Sequence, residues 1–424
     1  MKPKLKWSRR AAMALLCVVA TSLSLAAKGY CASQTAAPRS APSMSWLRAE
    51  GTRIVDERGQ TVVLRGVNLG GWLVEEMWMM PVETAPPPGS SFPKITDHVT
   101  LWRVVEGRFG APGMQRVRRA MRDAWLDESD FRRIRDMGFN SVRLPFLADL
   151  LAEPDGWSWL DRALLWARRN GLYVVLDLHG APGRQSKDHH TGEVGRNALF
   201  TRESFVQQTA ALWRQVAARY ANHPEVAGYD LLNEPMGAPN AATLHIVHDR
   251  LYQSIRAVDA RHLIFIEDAY KGIETLPHPA AVGWRNIVLS MHSYKFDAKT
   301  EDDQVAHMNW MLGAADKATK ERNAPFYLGE YNQEPHGTPA TQRRLAEAMQ
   351  ARGWSWSLWT YKIIRSGGET SMWGLFRNPQ PVTALDPFRD SPEAFIRKTA
   401  QLRTETLQEY CALVEALAPP KAAP

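Results

Sequence analysis

Cysteine is nearly missing from this sequence: Cys17, Cys31 and Cys411 are the three thiols in 424 residues. So few cannot build a disulfide scaffold, and a chain of this size holds itself together by packing instead. Cys17 and Cys31 fall in the N-terminal segment considered next, which leaves Cys411 as the one thiol expected in a processed chain. No segment repeats at a period of roughly 20–50 residues, which excludes solenoids and propellers. No G-x-G-x-x-G and no Walker-type loop follows the first strand-like segment, so nucleotide-binding α/β folds lose support. An early-strand H-x-H pair, expected of metal-dependent hydrolase barrels, is also missing. Asp177-x-His179 by itself is a weak metal signal, and His189-His190 lies in a polar loop.

A surplus of basic residues is lacking too, once its origin is traced. The formal charge is +7, with 52 Lys+Arg against 45 Asp+Glu. Lys2, Lys4, Lys6, Arg9, Arg10, Lys28 and Arg39 all lie before residue 45, where no acid occurs, and the remainder of the chain is formally neutral. Nucleic acid is therefore not an expected partner. The basic stretch MKPKLKWSRR followed by apolar Ala11–Ala27 reads as a secretory signal over residues 1–32, with cleavage after Ala27 or Ala32. Residues 33–46, rich in Pro, Ala and Ser, read as a linker. The expected location is outside the cytoplasm, periplasmic or extracellular, with an uncleaved anchor as the alternative. After cleavage no stable membrane insertion is expected.

What the sequence does contain is alternation. Strand-like runs occur at Val62–Leu69, Ser141–Phe146, Tyr173–Leu178, Ala227–Leu232, His262–Ile266, Ile287–Met291, Phe326–Leu328 and Ser355–Trp359. Helical spacing of apolar residues appears between most of them. Phe131, Ile134 and Met137 share a face before Gly138, and Leu160, Ala163, Leu164 and Ala167 share one before Asn170-Gly171. Continuous apolar strands joined by amphipathic helices indicate a parallel sheet. Eight such units predict an α/β fold, a (β/α)8 TIM barrel, as a single catalytic domain over 47–400. An open doubly wound sheet is the rival. Residues 401–424 read as a tail with one closing helix, Leu402–Leu417.

The strands end in polar residues. YDLLNEPMG, residues 229–237, runs from a core-like strand into Asn233, Glu234 and Pro235. A carboxylate there is costly unless it is paired or functional, and proline is tolerated only where the ladder finishes. Asn68, Arg143, Asp177, His179, Glu267, Asp268, His292, Tyr294, Glu330 and Trp359 also sit at strand ends. In a β/α barrel these C-terminal ends share one mouth. Glu234 and Glu330, on the fourth and seventh strands, would then face each other, as glycosidic bond cleavage requires: one carboxyl protonates the leaving oxygen and the other attacks or activates water. The bland alternative makes both of them helix caps or surface charges. Sixteen tryptophans supply either core or ligand platforms. Trp72, Trp78, Trp356 and Trp373 are each open to both readings, with Trp373, in SGGETSMWGLF after the last strand, the best candidate for a subsite wall.

Three stretches carry a family resemblance: RGVNLGGWLVEEMW (65–78), WLDESDFRRIRDMGFNSVRLPF (125–146) and DLHGAPG (177–183). Over about residues 47–390 the chain resembles glycoside hydrolase family 5, the cellulase-like family of clan A barrels, and within it the exo-β-1,3-glucanases. The resemblance implies Glu234 as acid/base and Glu330 as nucleophile of a retaining enzyme that needs no cofactor and no metal. It implies Arg143 and Tyr294 around Glu330, His292 beside Glu234, and Asn233 on the sugar 2-hydroxyl. His179 and Glu76 would line the glycone subsite, with Trp359 as its floor. The implied substrate is a β-linked glucan or oligosaccharide, β-1,3-glucan favoured, acted on by a monomer. Glu75 and Met77 depart from the exoglucanase pattern, and the loops 183–200 and 361–376 do not align with it. Endo-β-1,4-glucanase, β-1,6-glucan and glycolipid readings therefore stay open, as does a non-catalytic carbohydrate-binding barrel.

Overall fold

A computed structural model describes residues 43–268 and 272–419. The expected signal segment and the first part of the linker lie outside these residues. A hairpin, β1 (Arg48–Glu50) and β2 (Arg53–Val55), leads in. Then β3 (Arg65–Asn68), β4 (Ser141–Leu147), β5 (Tyr173–Gly180), β6 (Val226–Asp230), β7 (Leu263–Glu267), β8 (Ile287–Ser293), β9 (Phe326–Tyr331) and β10 (Ser355–Leu358) close into one barrel of parallel strands. Each strand pairs with its predecessor, and β10 returns to β3. The predicted barrel is the observed one, because strands buried on both faces are apolar along their whole length. The hairpin caps the N-terminal end: Leu47 and Ile54 are buried against Val175, Leu263, Val288 and Tyr327. The opposite end is left open.

Helices α1 (His98–Trp125), α2 (Glu128–Asp136), α3 (Gly156–Asn170), α4 (Glu203–Tyr220), α5 (Ala241–Arg256), α6 (Glu301–Arg322) and α7 (Pro339–Arg352) surround the strands. The predicted stops hold: α2 ends just before Gly138 (φ 94°), and α3 is capped by Gly171 in the left-handed region (φ 65°). The sequence reading overlooked α1. It kinks at Gly110 (φ 68°) with Pro112 just beyond, and this break hides its apolar stripe. Among the described residues, the β7–β8 connection holds two 3-10 turns, Ile273–Thr275 and Pro279–Val282, rather than an α-helix. No described helix is long and apolar enough to cross a membrane.

Two expectations at the C-terminus are corrected. The single helix over 402–417 is absent. After α8 (Pro392–Lys398) the chain forms short 3-10 turns and a two-residue strand, and only Cys411–Leu417 is α-helical, as α9. That strand, Gln408–Glu409, pairs with Phe376–Arg377, which in turn pairs with Lys362–Ile363, so a tertiary ladder overrides the local pattern. Cys411, expected as a lone thiol, is disulfide-bonded.

Packing also sorts two of the four ambiguous tryptophans. Trp72 is buried, donates its indole N–H to the Arg122 carbonyl at 3.0 Å and stacks on Trp166. Trp356 is buried edge-on to Phe139. Both belong to the core. Trp72→Ala should therefore lower unfolding stability by about 3–5 kcal/mol in urea titration. Trp310→Ala, at a site 56% exposed on α6, should change it by less than about 0.5 kcal/mol.

Candidate active site

The open end of the barrel is organised by Arg143, fully buried on β4. Its Nη1 donates to Glu330 Oε1 at 2.7 Å and to Asn68 Oδ1 at 3.1 Å. Nε donates to Asp230 Oδ2 at 2.9 Å, and Nη2 donates to Asn233 Oδ1 at 2.9 Å while lying 3.1 Å from Asp177 Oδ1. Burial opposes the charge, but the three carboxylates together push Arg143 well above its usual value. The acids share a single cation. Burial therefore prevails at Asp177, pushed up to about 7, and at Asp230, pushed up to about 6. Tyr294 donates its hydroxyl to Glu330 Oε2 at 2.8 Å, so both oxygens of Glu330 are held by donors. Burial, then the Glu330 charge, raises the Tyr294 phenol well above its ordinary value and keeps it a donor.

Glu234 stands opposite with a different environment. Its side chain is 20% exposed, against 7% for Glu330. Its backbone lies in the left-handed region (φ 40°), a strained conformation for a residue with a Cβ. The strain is held by a bond from its N–H to Glu267 Oε2 at 2.9 Å. His292 links the two glutamates: its Nδ1 lies 3.0 Å from Glu234 Oε1 and 3.6 Å from Glu330 Oε2. A register shift between Met291 and His292 sets His292 opposite Glu330. Burial holds His292 down at about 3, so the ring is neutral at working pH. Its Nε2 faces Glu267 at 3.5 Å. Burial, then the Glu234 charge, pushes the Glu267 carboxyl well above the usual range.

A cavity of about 510 Å³ opens over this pair, lined in part by Glu76, Trp78, His179, Trp359 and Trp373. His179 Nδ1 bonds Asp177 Oδ2 at 2.7 Å, its ring stacks on Trp359, and burial lowers it to about 4. Glu76 accepts from Trp78 Nε1 at 2.8 Å and lies 2.9 Å from His189 Nε2. Burial would raise Glu76, yet the contact with His189 keeps it below the ordinary value. Trp373 meets Trp78 edge-on and stacks on Phe296, which is 66% exposed at the rim.

Every residue singled out around the two glutamates thus reaches this mouth: Glu76, Arg143, His179, Asn233, Glu234, His292, Tyr294, Glu330, Trp359 and Trp373. Of the strand-end acids, Glu267 serves Glu234, whereas Asp268 accepts from the Thr275 hydroxyl. Donor atoms of Glu234, Glu267 and His292 come within 4.8 Å of one another, the spacing of a metal cluster. The contacts among the three, Glu234 N–H to Glu267 and His292 beside both glutamates, account for their closeness.

The sequence reading missed the loop after β5. Gln185, fully buried, donates to the carbonyls of His179 at 2.8 Å and Asn233 at 2.7 Å, tying that loop to two strand ends. Gly180 lets it seat: a Cβ there would stand 2.3 Å from the Thr191 carbonyl oxygen. His189 and His190, read as an ordinary polar loop, are delivered to the cavity wall. A closed β/α barrel with two facing carboxyl groups at its C-terminal mouth has the architecture of a glycosidase. The chain belongs to glycosyl hydrolase family 5, whose cellulase model matches residues 106–363. It is 30% identical over 262 residues to a β-xylosidase of Phanerodontia chrysosporium, covering 59% of this chain and 52% of that one. It is 31% identical over 243 residues to the probable glucan 1,3-β-glucosidase A of Neosartorya fischeri, covering 55% and 56%. The chain thus spans about half the length of the curated relatives it matches. Among solved structures an endogalactoceramidase shares the fold, with a TM-score of 0.56 at 20% identity, covering 84% of this chain and 85% of that one.

The raised Asp177 carboxyl predicts a pH dependence. Its folded value of about 7 lies above the ordinary 3.8, so its contribution to stability is full below about pH 4 and is lost as pH climbs through 7. The Tm of the parent relative to Asp177→Asn should fall between about pH 4 and pH 7.5. A difference that stays flat across that window, followed by scanning calorimetry, would refute the assignment.

Proposed function

We propose that the protein is an exported, monomeric retaining β-glycosidase of β-glucans, with β-1,3-linked chains preferred. The observation that carries this reading is the asymmetry of the two glutamates. Glu330 receives a donor on each oxygen, from Arg143 and Tyr294, which suits an ionised nucleophile. Glu234 faces the cavity next to a neutral imidazole, which suits a group that gives and takes a proton. Glu330 attacks the anomeric carbon while Glu234 protonates the departing oxygen, leaving a glycosyl ester on Glu330. Glu234 then removes a proton from water as it attacks, and the sugar leaves with its configuration retained. No metal or organic cofactor takes part.

The other residues position the sugar. Asn233 keeps one amide N–H for the 2-hydroxyl, a contact that strengthens as charge develops at the ring. His179 and Glu76 hold glycone hydroxyls, and Trp359 lies beneath the sugar. Trp78 and Trp373 form the wall toward the next unit. The glucan 1,3-β-glucosidase relatives support the β-1,3 preference. The endogalactoceramidase neighbour keeps a glycolipid as the second reading.

The test pairs the purified protein with Glu330→Gln on laminarin, carboxymethyl cellulose, pustulan and a glycosylceramide. Early glucose from laminarin, reduced by at least about a thousandfold in the variant, is the expected result. A 2-deoxy-2-fluoroglucoside should label Glu330 and no other carboxyl. Turnover confined to another polymer would move the substrate assignment, and undiminished activity in Glu330→Gln would overturn the nucleophile.

A further inference from the structure

His190 has a defined hydrogen-bond geometry that the proposed chemistry does not use. The Arg143 guanidinium donates to Asn233 Oδ1, which fixes that amide with its NH2 toward His190. Asn233 Nδ2 lies 3.1 Å from His190 Nδ1, and an NH2 can only donate, so Nδ1 accepts. The ring proton of neutral His190 is thereby placed on Nε2. That nitrogen is buried, makes no hydrogen bond and stands 3.3 Å from Glu234 Oε2. A buried spare donor beside a carboxylate oxygen is unlike the partner on the other side of Glu234. His292 can carry its proton on either nitrogen and so can donate to Glu234 or accept from it. His190, with its Nδ1 filled, can only donate.

We propose that His190 is a positioning residue that favours the ionised form of Glu234, and so supports the water-activating half of the reaction. The proposal rests on Glu234 being the acid/base. Before the glycosylation half, protonated Glu234 donates to His292 Nδ1, and during it that proton passes to the departing oxygen. In the second half, ionised Glu234 accepts from His190 Nε2 while it draws a proton from water. Glu76, bonded to His189, faces this pair from the loop after β3. Asp177 and His179 approach from β5, and Asp188 and His189 from the loop that carries His190. Asp230 and Glu267 lie below, on β6 and β7. His292 and Tyr294 come from β8 and its end, and Glu330 from β9. Arg143 is the fixed cation among them. Of these, only His292 and His190 present a ring nitrogen within 3.3 Å of a Glu234 side-chain oxygen among the contacts described.

The experiment compares the full chain with His190→Ala, His190→Gln and, in parallel, Glu234→Ala. Substrates are 4-nitrophenyl and 2,4-dinitrophenyl β-glucosides, the second with a leaving group that needs little protonation. Removing the donor should move the basic limb of kcat/KM upward by about one pH unit. On the dinitrophenyl substrate at neutral pH, kcat should fall by about tenfold with KM falling alongside, because the ester accumulates. Azide, a nucleophile that needs no base, should restore that kcat. His190→Gln keeps an N–H donor at this point and should recover most of the limb position and rate. An unmoved limb in both His190 variants, with kcat/KM lowered and no response to azide, would overturn the proposal in favour of a purely structural role. Glu234→Ala should lose the basic limb and respond to azide. If it keeps the limb, the assignment of Glu234 fails, and that outcome is distinct from failure at His190.

Discussion

One guanidinium holds the mouth of this barrel together. Arg143 on β4 reaches Asn68 on β3, Asp177 on β5, Asp230 on β6 and Glu330 on β9, so five of the eight strands meet at one side chain. Carboxylates in such a dry setting are strongly penalised unless a cation is shared among them. A planar fork with five fixed N–H groups can serve all of them at once, which the single ammonium of a lysine cannot. Glu330 is placed by this cluster directly, and Glu234 through Asn233 and His292.

The same constraint makes the glutamates unequal. Glu330 belongs to the cluster around Arg143 and has both oxygens held. Glu234 lies one step removed, linked to the cluster through Asn233 and through His292, and held in a strained backbone conformation by Glu267. Two identical side chains thus acquire different surroundings without any difference in residue type. The neutral His292 stands between them, its Nδ1 nearer Glu234 than Glu330.

Much of this was legible in the chain. The barrel strands are read directly, because burial on both faces leaves an unbroken apolar run such as Tyr173–Leu178. The strand-end residues follow once a barrel is inferred, since topology alone brings Arg143, Asn233, His292 and Glu330 to one face. What was not legible depends on contacts distant in sequence. Trp72 and Trp78 are six residues apart and alike in type, yet one stacks in the core and the other lines the cavity. Glu267 and Asp268 share a strand end, and only the fold separates the partner of Glu234 from the partner of Thr275. α1 was hidden by its glycine and proline kink, and the C-terminal segment was misread because a ladder with Phe376–Arg377 claims part of it. His190 carries no local signal at all: its place is set by Gln185 and by the close approach at Gly180.

That loop separates into an anchor and a tip. Gln185 fastens it to the strand ends through the carbonyls of His179 and Asn233, and Gly180 leaves room for the Thr191 carbonyl against the end of β5. Asp188 and His189 line the cavity beyond this fastening, whereas His190 is held by Asn233. The side chains at 188 and 189 could therefore change over generations while the anchor keeps the loop, and His190 with it, in place. Heritable variation in the cavity wall and heritable variation in the loop's seating thus fall on different residues of one short loop, so selection can act on the first without eroding the second.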